Sequence, residues 1–310
     1  MNWSISPISS HEPISDKPVL YDLSLHMGYI YDTPASGARH IMRLMPLSLP
    51  DRQRLIAGSI KVSPTPDEQS HFVDFFEHPA TSFMVRAPHE KLDIRMQARV
   101  QVESHSIAAD FSPELSRLAD EVAGVWSLKA GSPHHFLGNS PRLIETPAIS
   151  EYARSALGPS LTVLQIATAL CALIHTEFTY DSDATTVDTT PLEAFRLKRG
   201  VCQDFAHVMI LALRSLGIPA GYVSGFLRTI PPPGKERLEG ADAMHAWVRV
   251  WCGKTLGWVE LDPTNNIPAG TDHIVVGYGR DYADVAPVIG VLKSYGGQRA
   301  VQAVDVIPLP

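Results

Sequence analysis

The run from Leu92 to Glu103 restricts the fold more than any composition figure does. Leu92, Ile94, Met96, Ala98, Val100 and Val102 alternate with Asp93, Arg95, Gln97, Arg99, Gln101 and Glu103. A period of two over this length means a strand with one face on a core and the other in water. Tyr21, Leu23, Leu25 and Met27 alternate in the same way with Asp22, Ser24 and His26. Shorter extended stretches, Ile41 to Met45 and Ser59 to Val62, lie between them, separated by turns containing Pro and Asp. Residues 1–105 therefore read as an all-β N-terminal domain, an antiparallel sheet or small sandwich.

Helical signals then take over. Ser112-Pro113-Glu114 has an N-cap followed by Pro at the first helical position, and Thr146-Pro147 repeats the pattern before a helix that stops at Gly158-Pro159. Thr162 to Gln165 has capping-box spacing ahead of an apolar run ending near His175, and Thr190 to Glu193 has it ahead of a helix ending at Arg199-Gly200. The next helix starts near Cys202 and stops at Leu216-Gly217-Ile218-Pro219, with Phe205, Met209, Ala212 and Leu216 as its core stripe. Strands follow: Tyr222 to Leu227, then H-A-W-V-R-V-W, then W-V-E-L-D. Helices first and an antiparallel sheet after is an α+β order. We divide the chain into the β domain, a helical connecting region at 106–160 and a core at 161–310.

Composition excludes some partners. The net charge is −7 and no basic stripe suits a phosphate backbone, so nucleic acid is not expected. Cys171, Cys202 and Cys252 form neither a CxxC nor a paired disulfide framework, which fits a reducing compartment. The N-terminal residues show no basic and apolar signal-peptide pattern, and the most apolar run, Leu161 to Ile174, is too short to span a bilayer. A cytoplasmic protein without membrane association is the expectation. The histidines show no H-E-x-x-H and no Cys/His pair spacing, so neither a metal nor another cofactor is expected.

Cys202 raises the functional question, because a thiol in an apolar helix serves equally well as core filling. A two-residue loop at Gly253-Lys254 would pair Cys252 with Thr255 and set His245 directly opposite Asp262. His245, Trp247, Arg249 and Trp251 then share a face with Asp262, Glu260 and Trp258, while Ala246, Val248 and Val250 face Leu261 and Val259. A free thiol titrates near pH ~8.5, and a helix N-terminus together with an imidazolium lowers that value. Cys202 in a first helical turn has the first aid, and His245 would supply the second, oriented by Asp262. The Cys202 backbone N–H could face an oxyanion, with Tyr180 or Gln203 as side-chain donor. His207 and Asp204 read as structural, as do Cys171 and Cys252. So do Arg280, Asp281, Tyr282 and Asp284. Ile230 to Ala243 reads either as a lid or specificity loop or as an exposed connection.

G-V-C-Q-D-F-A-H, A-M-H-A-W-V-R-V-W and G-W-V-E-L-D-P-T-N resemble, in order, the three motifs of the bacterial transglutaminase-like proteins, within the papain-like cysteine enzymes. F-T-Y-D, L-G-I-P-A-G-Y-V-S-G-F-L and G-R-D-Y-A-D-V-A-P agree, and L-H-M-G-Y-I-Y-D-T-P and I-M-R-L-M-P resemble the family's N-terminal β region. The resemblance implies a papain-like core in which a helix bundle carrying the Cys helix packs on an antiparallel sheet. It also implies Cys202 as nucleophile, His245 as general base and acid, and Asp262 as orienter. Gly221 stands where relatives usually have Arg and Phe226 where Tyr is common, which weakens transfer of a substrate. No acidic loop of the animal type is present, so calcium is not expected. Similar proteins are described as cysteine proteases, and some occur with ATP-grasp peptide or amide ligases. The expectation is a cysteine peptidase or amidase acting on a peptide or protein amide. The alternatives are a transglutaminase using an amine acceptor and a peptide-binding module without turnover.

Overall fold

The computed structural model describes residues 18–104, 107–158, 160–230, 240 and 242–310. The alternating stretches form the expected N-terminal sheet. β1 (Val19–Met42), β2 (Gln53–Ser63), β3 (Glu68–Val73), β4 (Pro79–Val85) and β5 (His89–Val102) lie in the order β2-β5-β1-β4-β3. All six apolar residues of the Leu92–Val102 set are buried, as are Tyr21, Leu23 and Leu25 on β1 beside them.

Next come α1 (Leu115–Ala123), α2 (Pro147–Arg154) and α3 (Val163–Glu177), then the two-residue strand β6 (Thr179–Tyr180). α4 (Pro191–Leu197) leads through β7 (Arg199–Gly200) into α5 (Cys202–Ser215). The capping boxes at Thr162/Gln165 and Thr190/Glu193 both form. α1 starts later than Ser112 implies, with Glu114 at its N-cap position. The Ser112 hydroxyl instead accepts the Leu164 N–H at 3.0 Å and donates to Asp110, tying α1's lead-in to α3. α5 is buried from Gln203 to Arg214, on every face rather than along one stripe, as expected of a helix enclosed by other elements. Its Arg214 donates to the carbonyls of Ala220, Gly138 and Arg280 and to the Ser140 hydroxyl, which offsets part of the cost of burying its charge.

β8 (Ala220–Leu227), β9 (Ala243–Trp251), α6 (Gly253–Leu256), β10 (Trp258–Asp262), β11 (Ile267–Pro268) and β12 (His273–Gly279) complete the second sheet, ordered β11-β10-β9-β8-β12. Ala246, Val248, Val250, Val259 and Leu261 pack on the helices. Phe226, Ile274 and Val276 pack into the core of the N-terminal sheet. The second sheet therefore lies between a helical layer and the β domain. After α7 (Tyr282–Val285), β13 (Val288–Lys293) and β14 (Gln298–Leu309) return to pair with β1. Residues 288–309, grouped with the core in the sequence reading, thus lie in the N-terminal sheet. Among the described residues no helix is long and apolar enough to cross a membrane.

Candidate active site

Three local features start α5 at Cys202. Val201 takes extended backbone as N-cap. Asp204 folds back so that its Oδ2 accepts the Val201 N–H at 2.9 Å and the Thr185 hydroxyl at 2.7 Å. That carboxylate fills the space beside Gly200, where a Cβ would lie 2.4 Å from Asp204 Oδ2, so only glycine fits before the helix. Burial raises the Asp204 pKa against the opposing pull of the Thr185 and Val201 bonds. Intrahelical bonding begins with the Asp204 and Phe205 N–H groups on the Val201 carbonyl, which leaves the Cys202 N–H in the unpaired first turn. The Cys202 side chain is part-buried.

β9 supplies His245 and the end of β10 supplies Asp262, but not through a two-residue loop. Residues 252–257 form the connection, with α6 as a single helical turn, and Trp251 pairs with Trp258. The strands are two residues out of step with the expected register, so Asp262 falls opposite Trp247 and diagonal to His245. A shift of two keeps every side chain on its face, and the side chains of a diagonal pair ~7–8 Å apart still meet. The longer connection packs against α1 and the residues that lead into it. Lys254 N donates to Glu121 Oε2 at 2.8 Å, and Pro113 Cδ lies 2.5 Å from where a Gly253 Cβ would stand.

His245 Nε2 donates to Asp262 Oδ2 at 2.7 Å. The fully buried carboxylate also accepts the N–H groups of Thr264 and Asn265, at 2.9 and 3.2 Å, and Asn265 Nδ2 at 2.7 Å. His273 Nε2 donates to it at 3.1 Å. Burial by itself raises the Asp262 pKa, but the charge of His245 and the bonds from His245 and His273 hold it far below the ordinary carboxylate range. With Nε2 so engaged, Nδ1 is the nitrogen left for the Cys202 thiol, which stands near enough to act on the ring by charge and hydrogen bonding. Burial pulls the His245 pKa down. The Asp262 and Cys202 charges and the bonds to both outweigh it and carry it up to about 10.

The structure thus brings Cys202, His245 and Asp262 together. Tyr180 reaches the same place because β6 pairs with β7, setting it beside Gly200. Burial first, then the Cys202 charge, raises its phenol to about 12. Gln203 is directed elsewhere, its Nε2 donating to the Val187 carbonyl at 3.2 Å. His207 is buried and accepts the Tyr282 N–H at 3.2 Å, and burial drives its pKa down to about 3, so it stays neutral. Asp281 accepts the Arg142 and Ala283 N–H groups, and Arg280 pairs with Asp284. These residues fasten the 280–285 segment beside α5. Gly221 packs against Phe136 and the Gly279 carbonyl, and Phe226 is core. Most of the stretch weighed as a lid, residues 231–239 and 241, lies outside the described residues.

Asn265 and His273 are the site residues that sequence reasoning missed. Asn265 carried a signal, since D-P-T-N allows Asp262 to accept N–H groups two and three residues on. His273 carried none, because it arrives on β12 from across the sheet. His245, Asp262 and His273 present possible metal-ligand atoms within 4.8 Å of one another. Gly270 N donates to His273 Nδ1 at 3.2 Å, which fixes the proton on Nε2, and His245 Nε2 carries its proton toward the same carboxylate. Both nitrogens offered to Asp262 are N–H donors, and a metal requires lone pairs. As it stands, the trio is a hydrogen-bonded cluster.

Residues 150–263 match the transglutaminase-like superfamily and residues 21–101 match the bacterial transglutaminase-like N-terminal region. An uncharacterized protein of Mycobacterium tuberculosis is 36% identical over 271 residues, covering 83% of either chain. The chain belongs to the bacterial transglutaminase-like proteins. An uncharacterized protein of Mycobacterium leprae is 32% identical over 276 residues, 87% of this transglutaminase-like chain and 91% of its own. A crystal structure from Cytophaga hutchinsonii, provisionally described as a cysteine protease, shares the fold with a TM-score of 0.74 at 20% identity, covering 94% of this chain and 91% of that one. A Pseudomonas aeruginosa protein-glutamine gamma-glutamyltransferase is 32% identical over 105 residues, 33% of this chain and 16% of its own length.

Proposed function

We propose that this transglutaminase-like protein is a thiol-dependent acyl-transfer enzyme that hydrolyses amide or peptide bonds, a cysteine peptidase or amidase. The observation that carries this is the His245 ring, bonded to Asp262 through Nε2 and close enough to Cys202 for the thiol to help raise its pKa. The Cys202 thiolate attacks the carbonyl carbon, and the oxyanion faces the Cys202 N–H, with the Tyr180 hydroxyl as second donor. As the C–N bond breaks, the His245 imidazolium gives its proton to the departing nitrogen. Water then attacks the thioester, His245 takes its proton, the C–S bond breaks, and acid and thiolate are restored. Asp262 stays ionised throughout and keeps the imidazole in one orientation. Its substrate is a peptide or protein amide, a chemistry with which the functional association with ATP-grasp amide ligases implied by the resemblance would fit. A reducing cytoplasm would keep Cys202 available as a thiol.

The second reading replaces water by an amine, which would make the protein a transglutaminase. It draws on the short match to the Pseudomonas aeruginosa glutamyltransferase. Incubation with peptide carboxamides and a radiolabelled amine separates the two. Released acid in excess of incorporated label is the expected result, and label outrunning hydrolysis would overturn the hydrolytic reading.

A further inference from the structure

Trp247, two residues along β9 from His245, stacks on its ring with centroids 6.0 Å and planes 25° apart, and meets His273 edge-on at 5.1 Å. The indole is fully buried and its Nε1 donates to Glu260 Oε2 at 2.7 Å. The other Glu260 oxygen accepts from Arg52 Nη1 at 2.5 Å and from the Tyr278 hydroxyl at 2.9 Å. Arg52 belongs to the N-terminal domain, immediately ahead of β2. Its neighbour Gln53 is buried and engages both backbone groups of Val275, accepting its N–H at 2.8 Å and donating to its carbonyl at 2.7 Å. Leu47 adds a backbone bond to the same Val275 carbonyl at 3.0 Å. That grip falls where β12 departs from regular pairing with β8, two residues beyond His273. One corner of the β domain therefore holds β10 two residues from Asp262 and β12 two residues from His273.

We propose that the Arg52–Gln53 corner is a brace which holds Trp247, through Glu260, against His245 and so aims that imidazole at Cys202. Arg52, Gln53, Glu260 and Trp247 are positioning residues, and the β domain takes part in the chemistry without touching substrate. The inference rests on reading Cys202 and His245 as a nucleophile and its base. Burial opposes the Glu260 charge, and Arg52 is the first of the groups that keep the carboxylate ionised. Loss of Arg52 leaves that buried charge to draw on Trp247 and Tyr278 alone among its hydrogen-bond donors, and the indole shifts with it.

The test compares Arg52→Met, Arg52→Lys, Trp247→Phe and Arg99→Met in the full chain. Arg99 serves as control because it pairs with Asp22 on the exposed face of the same domain. The readouts are the Cys202 alkylation rate by iodoacetamide against pH and the proton resonance of the His245 Nε2–H in its bond to Asp262. Arg52→Met is expected to slow alkylation at pH 6 about tenfold and to shift or broaden the resonance, with Arg52→Lys recovering most of both and Arg99→Met changing neither. Trp247→Phe keeps a ring on His245 but removes the link to Glu260, and it should move the resonance even if Arg52→Met does not fold. Unmoved resonance and rate in a folded Arg52→Met or Trp247→Phe would overturn the brace. Slow Cys202 labelling in the wild type, with the resonance still responding to the variants, would sink the nucleophile reading and leave the brace standing.

Discussion

Asp262 concentrates the physics of the site in one residue. It is fully buried, yet it accepts from His245, His273, Asn265 and two backbone N–H groups, so ionisation costs less than removing the charge would. Asp262→Ala strands those donors and is expected to destabilise the fold by about 3–5 kcal/mol, as for removal of one partner of a buried pair, read from urea denaturation. Asp262→Asn should cost less and still slow Cys202 alkylation. The histidines set opposite pH limbs. His245, raised to about 10, contributes stability that is full below its unfolded value near ~6.5 and is lost as pH rises through 10. His207, lowered to about 3, binds its proton more weakly folded than unfolded, so its contribution is present above ~6.5 and is lost as pH falls toward 3. Denaturation midpoints against pH should therefore peak near neutrality, with His207→Gln flattening the acid limb. Burial lifts the Cys171 and Cys252 thiols to about 12. Iodoacetamide at pH 6 should thus label Cys202 alone, and His245→Ala should slow that labelling at least tenfold.

Elements were legible wherever their signals were local. The boxes at Thr162/Gln165 and Thr190/Glu193 start α3 and α4 where the residues place them, and Thr190→Ala should cost about 1 kcal/mol in stability. R-G-V-C likewise encodes the start of α5, since the Asp204 carboxylate lies where a side chain at 200 would go. Gly200→Ala should displace that carboxylate from the Val201 N–H, destabilise the fold by about 1–3 kcal/mol through a lost buried hydrogen bond, and slow Cys202 alkylation. A Gly200→Ala variant with wild-type stability and labelling would show that Asp204 does not set the helix start. The start of α1 and the β9–β10 register were not legible. In both places the residues concerned bond to distant partners: the Ser112 hydroxyl accepts the Leu164 N–H, and Glu121 accepts the Lys254 N–H. His245 and Asp262 still share one face of the hairpin, diagonal instead of directly opposite, because the shift was even.

At the scale of the molecule, the two ends of the chain share one sheet. β14 pairs with β1 from Leu20 to Tyr31, burying Val304 and Val306, and its Val306 N–H donates to Asp242 just ahead of β9. Removal of residues 288–310 should therefore reach beyond the β domain. Lost burial of those two valines alone is worth roughly 3–6 kcal/mol, comparable to the whole stability of many domains at ~5–15 kcal/mol. The truncated chain is expected to lose cooperative unfolding, and a truncation that kept its melting transition would show that the closing strands are dispensable. The sequence by itself determined the sheet faces, most helix starts, the Cys202 helix N-terminus and the shared face of His245 and Asp262, because periodicity, caps and steric exclusion act within a few residues of where they are written. Only the tertiary structure decided the hairpin register, the arrival of His273 on Asp262, the return of the C-terminal strands to β1 and the meeting of Arg52 with Glu260. Those contacts join residues from 11 to more than 280 positions apart in the chain, and they are selected by burial and by satisfying buried polar groups, which no local pattern records.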